Sequence, residues 1–140
     1  MASLLQKQRD MNQKQNKKKH ILVIDPDEDF CRNVRLYLEE SYEVTARQGL
    51  EYIDYTILLN RIDLMLIEAD FADFELVNAL QRIHKDYPSL KIIIMYTYFP
   101  ADRKIERALV KIADTTIAKP FDVFQLKTKV DHLLRVPQKI

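Results

Sequence analysis

Residues 21–29 read ILVIDPDED, a four-residue apolar run followed at once by five residues of which four are acidic. The run at 21–24 is short, continuous and rich in β-branched side chains, as expected for a strand covered on both faces of a parallel sheet. The acidic residues end that strand and supply N-cap oxygens for a helix that we predict to reach about Glu40. The stretch therefore predicts a buried strand that leads directly into a helix.

The same alternation continues to the carboxyl end of the chain. Apolar runs predict further strands at residues 42–46, 64–67, 92–96 and 115–118. Helical periodicity predicts further helices at residues 49–60, 74–85, 102–111 and 123–133. Five consecutive βα units predict an open, doubly wound parallel sheet with helices on both faces, because right-handed crossovers are nearly obligatory and an eightfold barrel needs a longer chain.

The composition fits one globular domain and argues against several other classes of protein. The 140 residues are 47% hydrophobic and 31% charged, which suffices for one core. The first twenty residues lack an apolar secretory segment, and no apolar run approaches the roughly 18 residues of a membrane-spanning helix. One cysteine, Cys31, excludes an internal disulfide, and three scattered histidines give neither metal-ligand spacing nor a catalytic arrangement. We therefore expect a cytoplasmic protein that is not an enzyme and has no membrane partner.

Charge divides the chain into two parts. Residues 1–19 carry six basic residues and one acidic residue, a net charge of +5, which leaves −4 for the rest of a chain whose total is +1. We expect residues 1–19 to form a flexible basic tail before a domain at 20–140. Nucleic-acid binding through this tail is a minor alternative function, because cations without interleaved aromatics give only a salt-sensitive, sequence-independent attraction.

Polar side chains follow four of the predicted strands at their carboxyl ends. Asp25 follows the first strand, Glu68 the third, Thr97 the fourth and Lys119 the fifth. In open α/β sheets, sites form beyond the carboxyl ends of the strands where the winding reverses. These four residues are therefore the candidate site.

Four segments that contain these residues resemble, in order and spacing, the receiver domain of bacterial response regulators. They are ILVIDPDED at 21–29, IDLMLIE at 62–68, IIIMYT at 92–97 and ADTTIAKPF at 113–121. The Lys119, Pro120, Phe121 triplet is the most specific piece, and the likeness covers about residues 20–136. It implies a flavodoxin-like fold of the chemotaxis-regulator type with strand order 2-1-3-4-5, and a role in two-component (phosphorelay) signalling.

The resemblance also implies roles for individual residues. Such receivers accept a phosphoryl group from a histidine kinase onto an aspartate after strand three, while acidic residues hold Mg²⁺. By position, Asp25 and Asp27 belong to the acidic pocket. Thr97 corresponds to the switch hydroxyl and Lys119 to the lysine that contacts the phosphoryl group.

Three positions depart from the family pattern. Glu68 stands where the phosphoacceptor aspartate is expected, Pro26 replaces the second acidic metal ligand, and Thr116 stands where a switching Tyr or Phe is usual. We therefore expect Mg²⁺ binding through Asp25 and Glu68 to be weak or absent. The leading hypothesis is a stand-alone, atypical receiver without an output domain that acts by protein–protein interaction.

Two questions about the acidic residues stay open in the sequence. Glu68 is expected near Lys119, either as a structural ion pair or as a permanent mimic of the phosphorylated state. Asp70 is an alternative phosphoacceptor, because a shift of two residues keeps it on the same side of a strand. In that case the chain is an orthodox phosphorelay component.

A partner surface is implied at the fourth helix, the fifth strand and the fifth helix. The residues assigned to it are Tyr98, Phe99, Ile105 and Phe121. The partner is expected to be a histidine kinase or another signalling protein, or a second copy of the chain in a homodimer through the same face.

Overall fold

Strands and helices alternate through the described part of a computed structural model, which comprises residues 3–7, 18–70, 72–98 and 100–135. The strands are β1 (His20–Ile24), β2 (Glu43–Arg47), β3 (Leu64–Glu68), β4 (Lys91–Tyr96) and β5 (Thr115–Ala118). The helices that follow them are α1 (Glu28–Leu38), α2 (Ile53–Asn60), α3 (Phe74–Asp86), α4 (Arg103–Ile112) and α5 (Val123–Leu134). The alternation predicted from the sequence is therefore confirmed.

All strand pairs of the sheet are parallel, and the strand order is β2-β1-β3-β4-β5. This confirms the predicted order. The winding reverses between β1 and β3, which are neighbours although β2 lies between them in sequence. The ends of these two strands are level, since Ile24 pairs with Ile67. The crevice in which α/β proteins bind their ligands therefore opens beyond Ile24 and Glu68.

The sheet separates two apolar layers, because successive side chains of a strand point to opposite faces. One layer contains Leu22, Met65 and Ile94 and packs against α2, α3 and α4. The other contains residues of β1, β3 and β4 at the alternate positions and packs against α1 and α5. The continuous apolar runs follow from this burial on both sides.

Aspartates, not glycines, shape most of the helix starts. The side chains of the N-cap residues of α1, α3, α4 and α5 each accept one or two hydrogen bonds from backbone N–H groups of the first turn; these residues are Asp27, Asp73, Asp102 and Asp122. Each such cap stabilises its helix by about 1 kcal/mol. A chain with one glycine can make sharp strand-to-helix turns in this way.

Most boundaries lie within two residues of the sequence prediction, and the start of α2 differs by four. Helix α2 begins at Ile53, not at residue 49, because Tyr52 has a φ of 56° and lies in the left-handed region. Helix α1 ends at Leu38, whose carbonyl accepts the N–H groups of Ser41 and Tyr42. Tyr42 thus belongs to the closing turn of α1, and β2 begins one residue later than predicted.

Most of the predicted basic tail lies outside the described residues. Residues 4–7 form one helical turn whose Leu4 and Leu5 are exposed. The flexibility of residues 1–19 and their binding of nucleic acid stay predictions. Among the described residues, no helix combines the length and the apolar character that crossing a bilayer requires.

Truncating a core leucine will test the packing. We expect Leu80→Ala in α3 to lower the free energy of unfolding by about 2–5 kcal/mol, because Leu80 is fully buried and its loss leaves a cavity. Leu36→Ala in α1 is the matched control, since Leu36 is exposed and its truncation should cost about 0.5 kcal/mol or less. Urea unfolding followed by circular dichroism measures both, and equal losses would contradict the assignment of the core.

Candidate functional site

Backbone hydrogen bonds hold the predicted site residues at one edge of the sheet. Asp25 donates its N–H to the carbonyl of Arg47, and Lys119 donates its N–H to the carbonyl of Tyr96 at 2.7 Å. Glu68 is the last residue of β3 and is paired in register with Met95. The structure therefore brings Asp25, Glu68, Thr97 and Lys119 to the carboxyl ends of neighbouring strands.

A buried ion pair joins Asp25 to Lys119. The Lys119 Nζ atom lies 2.5 Å from Asp25 Oδ2, and the two side chains are only 17% and 2% exposed. The other carboxylate oxygen, Oδ1, accepts the N–H of Asp27 at 2.9 Å. Both oxygens of Asp25 are thus occupied by groups of the chain itself.

Two aromatic rings close one side of this ion pair. Lys119 Nζ lies 4.2 Å from the centroid of the Phe30 ring, and this ring lies 5.8 Å from that of Phe121. A cation over an aromatic face is attracted by the ring quadrupole, more strongly where water is excluded. Phe30 therefore helps to hold the ammonium group in place. This role could not be predicted from the sequence, because the position of Phe30 fits the apolar stripe of the first helix.

Glu68 is half-buried and titrates far above an ordinary glutamate. Burial, a hydrogen bond with Asp70 and the negative charge of Asp25 raise its pKa to about 7, whereas the charge of Lys119 acts in the opposite direction. The protonated form of Glu68 can donate its hydrogen bond to Asp70. At neutral pH Glu68 is therefore divided between its neutral and its ionised form.

Asp70 connects the loop after β3 to the loop after β4. Its Oδ1 atom accepts the backbone N–H of Thr97 at 2.7 Å and that of Tyr98 at 3.1 Å. Burial acts to raise the pKa of Asp70, but hydrogen bonds from Tyr98 N–H, Thr97 N–H, Glu68 and the Thr97 side chain lower it overall. Asp70 is thus an ionised carboxylate that binds Thr97, the residue at the expected switch position.

The expected ion pair between Glu68 and Lys119 is not formed. Among the ion pairs of the described residues, the partner of Lys119 is Asp25. The carboxylate that contacts Thr97 is Asp70. The physical reason is burial, because Asp25 is almost inaccessible to water and a buried carboxylate requires the counter-ion more than the half-buried Glu68 does.

The four residues assigned to a partner surface differ in their exposure. Tyr98 is 75% exposed, as a surface role requires. Ile105 is wrong as a surface residue: it is only 7% exposed, because the apolar stripe of α4 turns it into the core. Phe121 is half-buried against Phe30, and Phe99 lies outside the described residues. Thr116 lies in β5 opposite Ile94 and is half-buried.

The strand order, the acidic residues after β1 and β3 and the lysine after β5 define a receiver-type α/β domain. The family model of the response regulator receiver domain matches residues 21–131. This match covers most of the chain, and the chain belongs to the response regulator receiver domain family. It is therefore a receiver domain of two-component signalling.

Solved structures of response regulators are similar over most of their length. A two-component response regulator from Clostridium difficile has 27% sequence identity and a TM-score of 0.71, with 87% of this chain and 100% of that chain covered. A CheY-like receiver domain protein from Methanospirillum hungatei JF-1 has 26% identity and a TM-score of 0.72, with 83% and 93% covered. A response regulator from Thermotoga maritima has 23% identity and a TM-score of 0.72, with 84% and 98% covered, and shares the fold.

The donor set after β1 and β3 does not fit the Mg²⁺ ion that receivers bind at this position. Asp25 is neutralised by Lys119, Pro26 has no side-chain oxygen, and Asp27 Oδ1 caps α1 through the N–H groups of Asp29 and Phe30. Within the described ranges, no group of three or more Asp, Glu, His and Cys side chains is placed to hold a metal ion. Mg²⁺ takes near-octahedral oxygen ligands, which this arrangement does not offer.

Removing the cation of the ion pair will test its role in the fold. We expect Lys119→Met to lower the free energy of unfolding by about 3 kcal/mol, because it leaves Asp25 buried without a counter-ion. Lys127→Met is the matched control, since the Lys127–Asp131 pair is about one-third exposed and its loss should cost about 0.5 kcal/mol. Urea unfolding at pH 7 measures both. If the two variants lose the same stability, the Asp25–Lys119 pair does not organise the site.

Glu68 should make stability fall as the pH rises. Its pKa is raised from its ordinary value of 4.5 to about 7 in the folded state, so the folded chain keeps a proton that the unfolded chain releases. The free energy of unfolding of the natural chain, relative to Glu68→Gln, should therefore decrease between about pH 4.5 and pH 7 and stay level above. Urea unfolding at several pH values measures this difference. The exposed Glu40→Gln variant is the control. If the difference in free energy of unfolding from the natural chain changed with pH equally for both variants, the raised pKa of Glu68 would be contradicted.

Proposed function

We propose that this receiver domain acts by binding a partner protein and that its conformation is set by its own carboxylates instead of by a transferred phosphoryl group. Glu68 occupies the position of the acceptor aspartate, and Asp70 replaces the incoming anion at Thr97. Signalling through this domain would then not require phosphorylation. A non-enzymatic mode of action and a cytoplasmic location are parts of the same proposal.

The contact of Asp70 with the loop after β4 carries this proposal. An anion can organise this loop only through hydrogen-bond donors. The donors that contact Asp70 are the Thr97 N–H, the Tyr98 N–H and the Thr97 hydroxyl. Hydrogen bonds to an ionised carboxylate are about twice as strong as those between neutral groups. A phosphoryl group would have to displace Asp70 before it could bind the same donors.

The state of Lys119 supports the proposal independently. In a phosphorylated receiver the lysine stabilises the negative phosphoryl oxygens. Here its ammonium group is already paired with the buried Asp25 at 2.5 Å and packed against Phe30. Moving Lys119 to a phosphoryl group would leave Asp25 without its counter-ion, which costs about 3–5 kcal/mol for a buried pair.

The readout of the domain also departs from that of an orthodox receiver. Thr116 has no aromatic ring that could rotate between two positions, so the surface near β5 does not depend on such a rotation. Tyr98, Val110 and Phe124 are exposed on the loop after β4, on α4 and on α5. We propose that this face binds a histidine kinase or another signalling protein. Tyr98 then contacts the partner, whereas the buried Ile105 does not.

The alternative function is an orthodox phosphorelay component that is phosphorylated on Asp70. The closeness of Asp70 to Thr97 favours this alternative, since the phosphoacceptor must lie beside the switch hydroxyl. Against it, Asp70 lies beyond the end of β3, and its Oδ1 atom already accepts two N–H groups. The leading proposal therefore treats Asp70 as a structural anion.

Phosphorylation can be tested directly. We expect incubation with acetyl phosphate and Mg²⁺ to leave the intact mass of the natural chain unchanged, because the acceptor position holds Glu68 and the phosphate-binding donors are occupied. An orthodox receiver treated in parallel confirms that the reagent is active. A stoichiometric gain of one phosphoryl group would overturn the proposal. If Asp70→Asn abolished that gain, the alternative function would replace it.

A further inference from the structure

Helix α2 has an apolar face with no neighbour in the described structure. Its inner side chains Ile53, Thr56 and Ile57 are buried against the core. Its outer face and the residue that precedes it expose four large apolar side chains to 68–80% of their area; they are Tyr52, Tyr55, Leu58 and Leu59. The helix is thus apolar on both sides, whereas a surface helix of a single domain normally has one polar face.

The patch is large enough to mark an interaction site. Two tyrosines and two leucines exposed to this degree present on the order of 500 Å² of side-chain surface. The largest apolar patch of a typical soluble monomer covers about 300–600 Å² and is often functional. The functional site beyond the carboxyl ends of the strands uses none of these four residues.

Charges at the two ends of the patch indicate what covers it. Asp54, in the first turn of α2, is bound to Arg82 of α3 at 2.6 Å and is therefore neutralised within the chain. Glu51 precedes the patch and Arg61 follows it, and both residues are exposed. One end of the patch is thus negative and the other positive.

We propose that this face binds a second copy of the chain, with the two α2 helices packed antiparallel across a twofold axis. In such a pair Glu51 of each copy lies opposite Arg61 of the other. Tyr52 then lies opposite Leu59, and Tyr55 opposite Leu58. All three pairings are centred within one residue of position 56, so one axis satisfies the charges and the apolar side chains together.

A second copy fits better than an unrelated partner because the patch is complementary to itself. A twofold interface uses the same surface of both copies, so charges that meet across it are complementary only when the surface carries both signs. Two such patches bury on the order of 1,000 Å² together, which is at the low end of specific protein interfaces. We therefore expect a reversible dimer that dissociates in the micromolar range.

Sedimentation of the full chain over the micromolar range tests the proposal. We expect the natural chain to form dimers and Leu59→Glu to raise the dissociation constant more than about tenfold, because a charge replaces a buried apolar side chain. Phe124→Glu is the matched control, since Phe124 on α5 is also 70% exposed and should leave the constant unchanged. A monomeric natural chain would overturn the proposal. So would loss of the dimer in Phe124→Glu alone, which would place the contact at α4, β5 and α5.

Charge reversal tests the antiparallel arrangement. Glu51→Arg and Arg61→Glu should each weaken the dimer about fivefold at low salt, because each places like charges opposite each other twice. The double variant exchanges the two charges and should restore the natural dissociation constant. Circular dichroism confirms that each variant is folded. Failure of the double variant to recover would exclude this geometry.

Discussion

The ion pair between Asp25 and Lys119 is the constraint on which the site depends. A carboxylate as deeply buried as Asp25 is stable only beside a positive charge, and the ammonium group of Lys119 supplies that charge from the far side of β3 and β4. In this pair Lys119 binds Asp25 directly and acts on Glu68 only through its charge.

Glu68 and Asp70 show how neighbouring carboxyl groups take opposite roles. Asp70 is surrounded by N–H and hydroxyl donors and is held as an anion, whereas Glu68 faces burial and two acids and retains its proton to about pH 7. Pairs of acids pushed apart in this way are common at functional sites. In this receiver Asp70 accepts the N–H groups of Thr97 and Tyr98 in the loop after β4, so these donors are occupied by the chain itself.

The sheet could be predicted from the sequence because strands such as residues 64–67 are buried on both faces and carry continuous apolar runs. The partner of Lys119 could not, since Asp25 and Lys119 are 94 positions apart and Glu68 ends a strand between theirs in the sheet. Whether Lys119 pairs with Asp25 or with Glu68 is decided by how deeply each carboxyl group is buried. In the sequence, Ile105 fits both an apolar stripe that faces the core and the partner surface that the family resemblance implies. The packing of α4 against the sheet places it in the core.

The bridge from Asp70 to the loop after β4 has a consequence for regulation. If the Asp70 side chain holds this loop in place of a phosphoryl group, as proposed, the domain keeps no record of past kinase activity, because its state does not change with phosphorylation. Its output would then scale with the number of copies in the cell. Control would pass from the sensor to transcription, translation and degradation of the receiver itself.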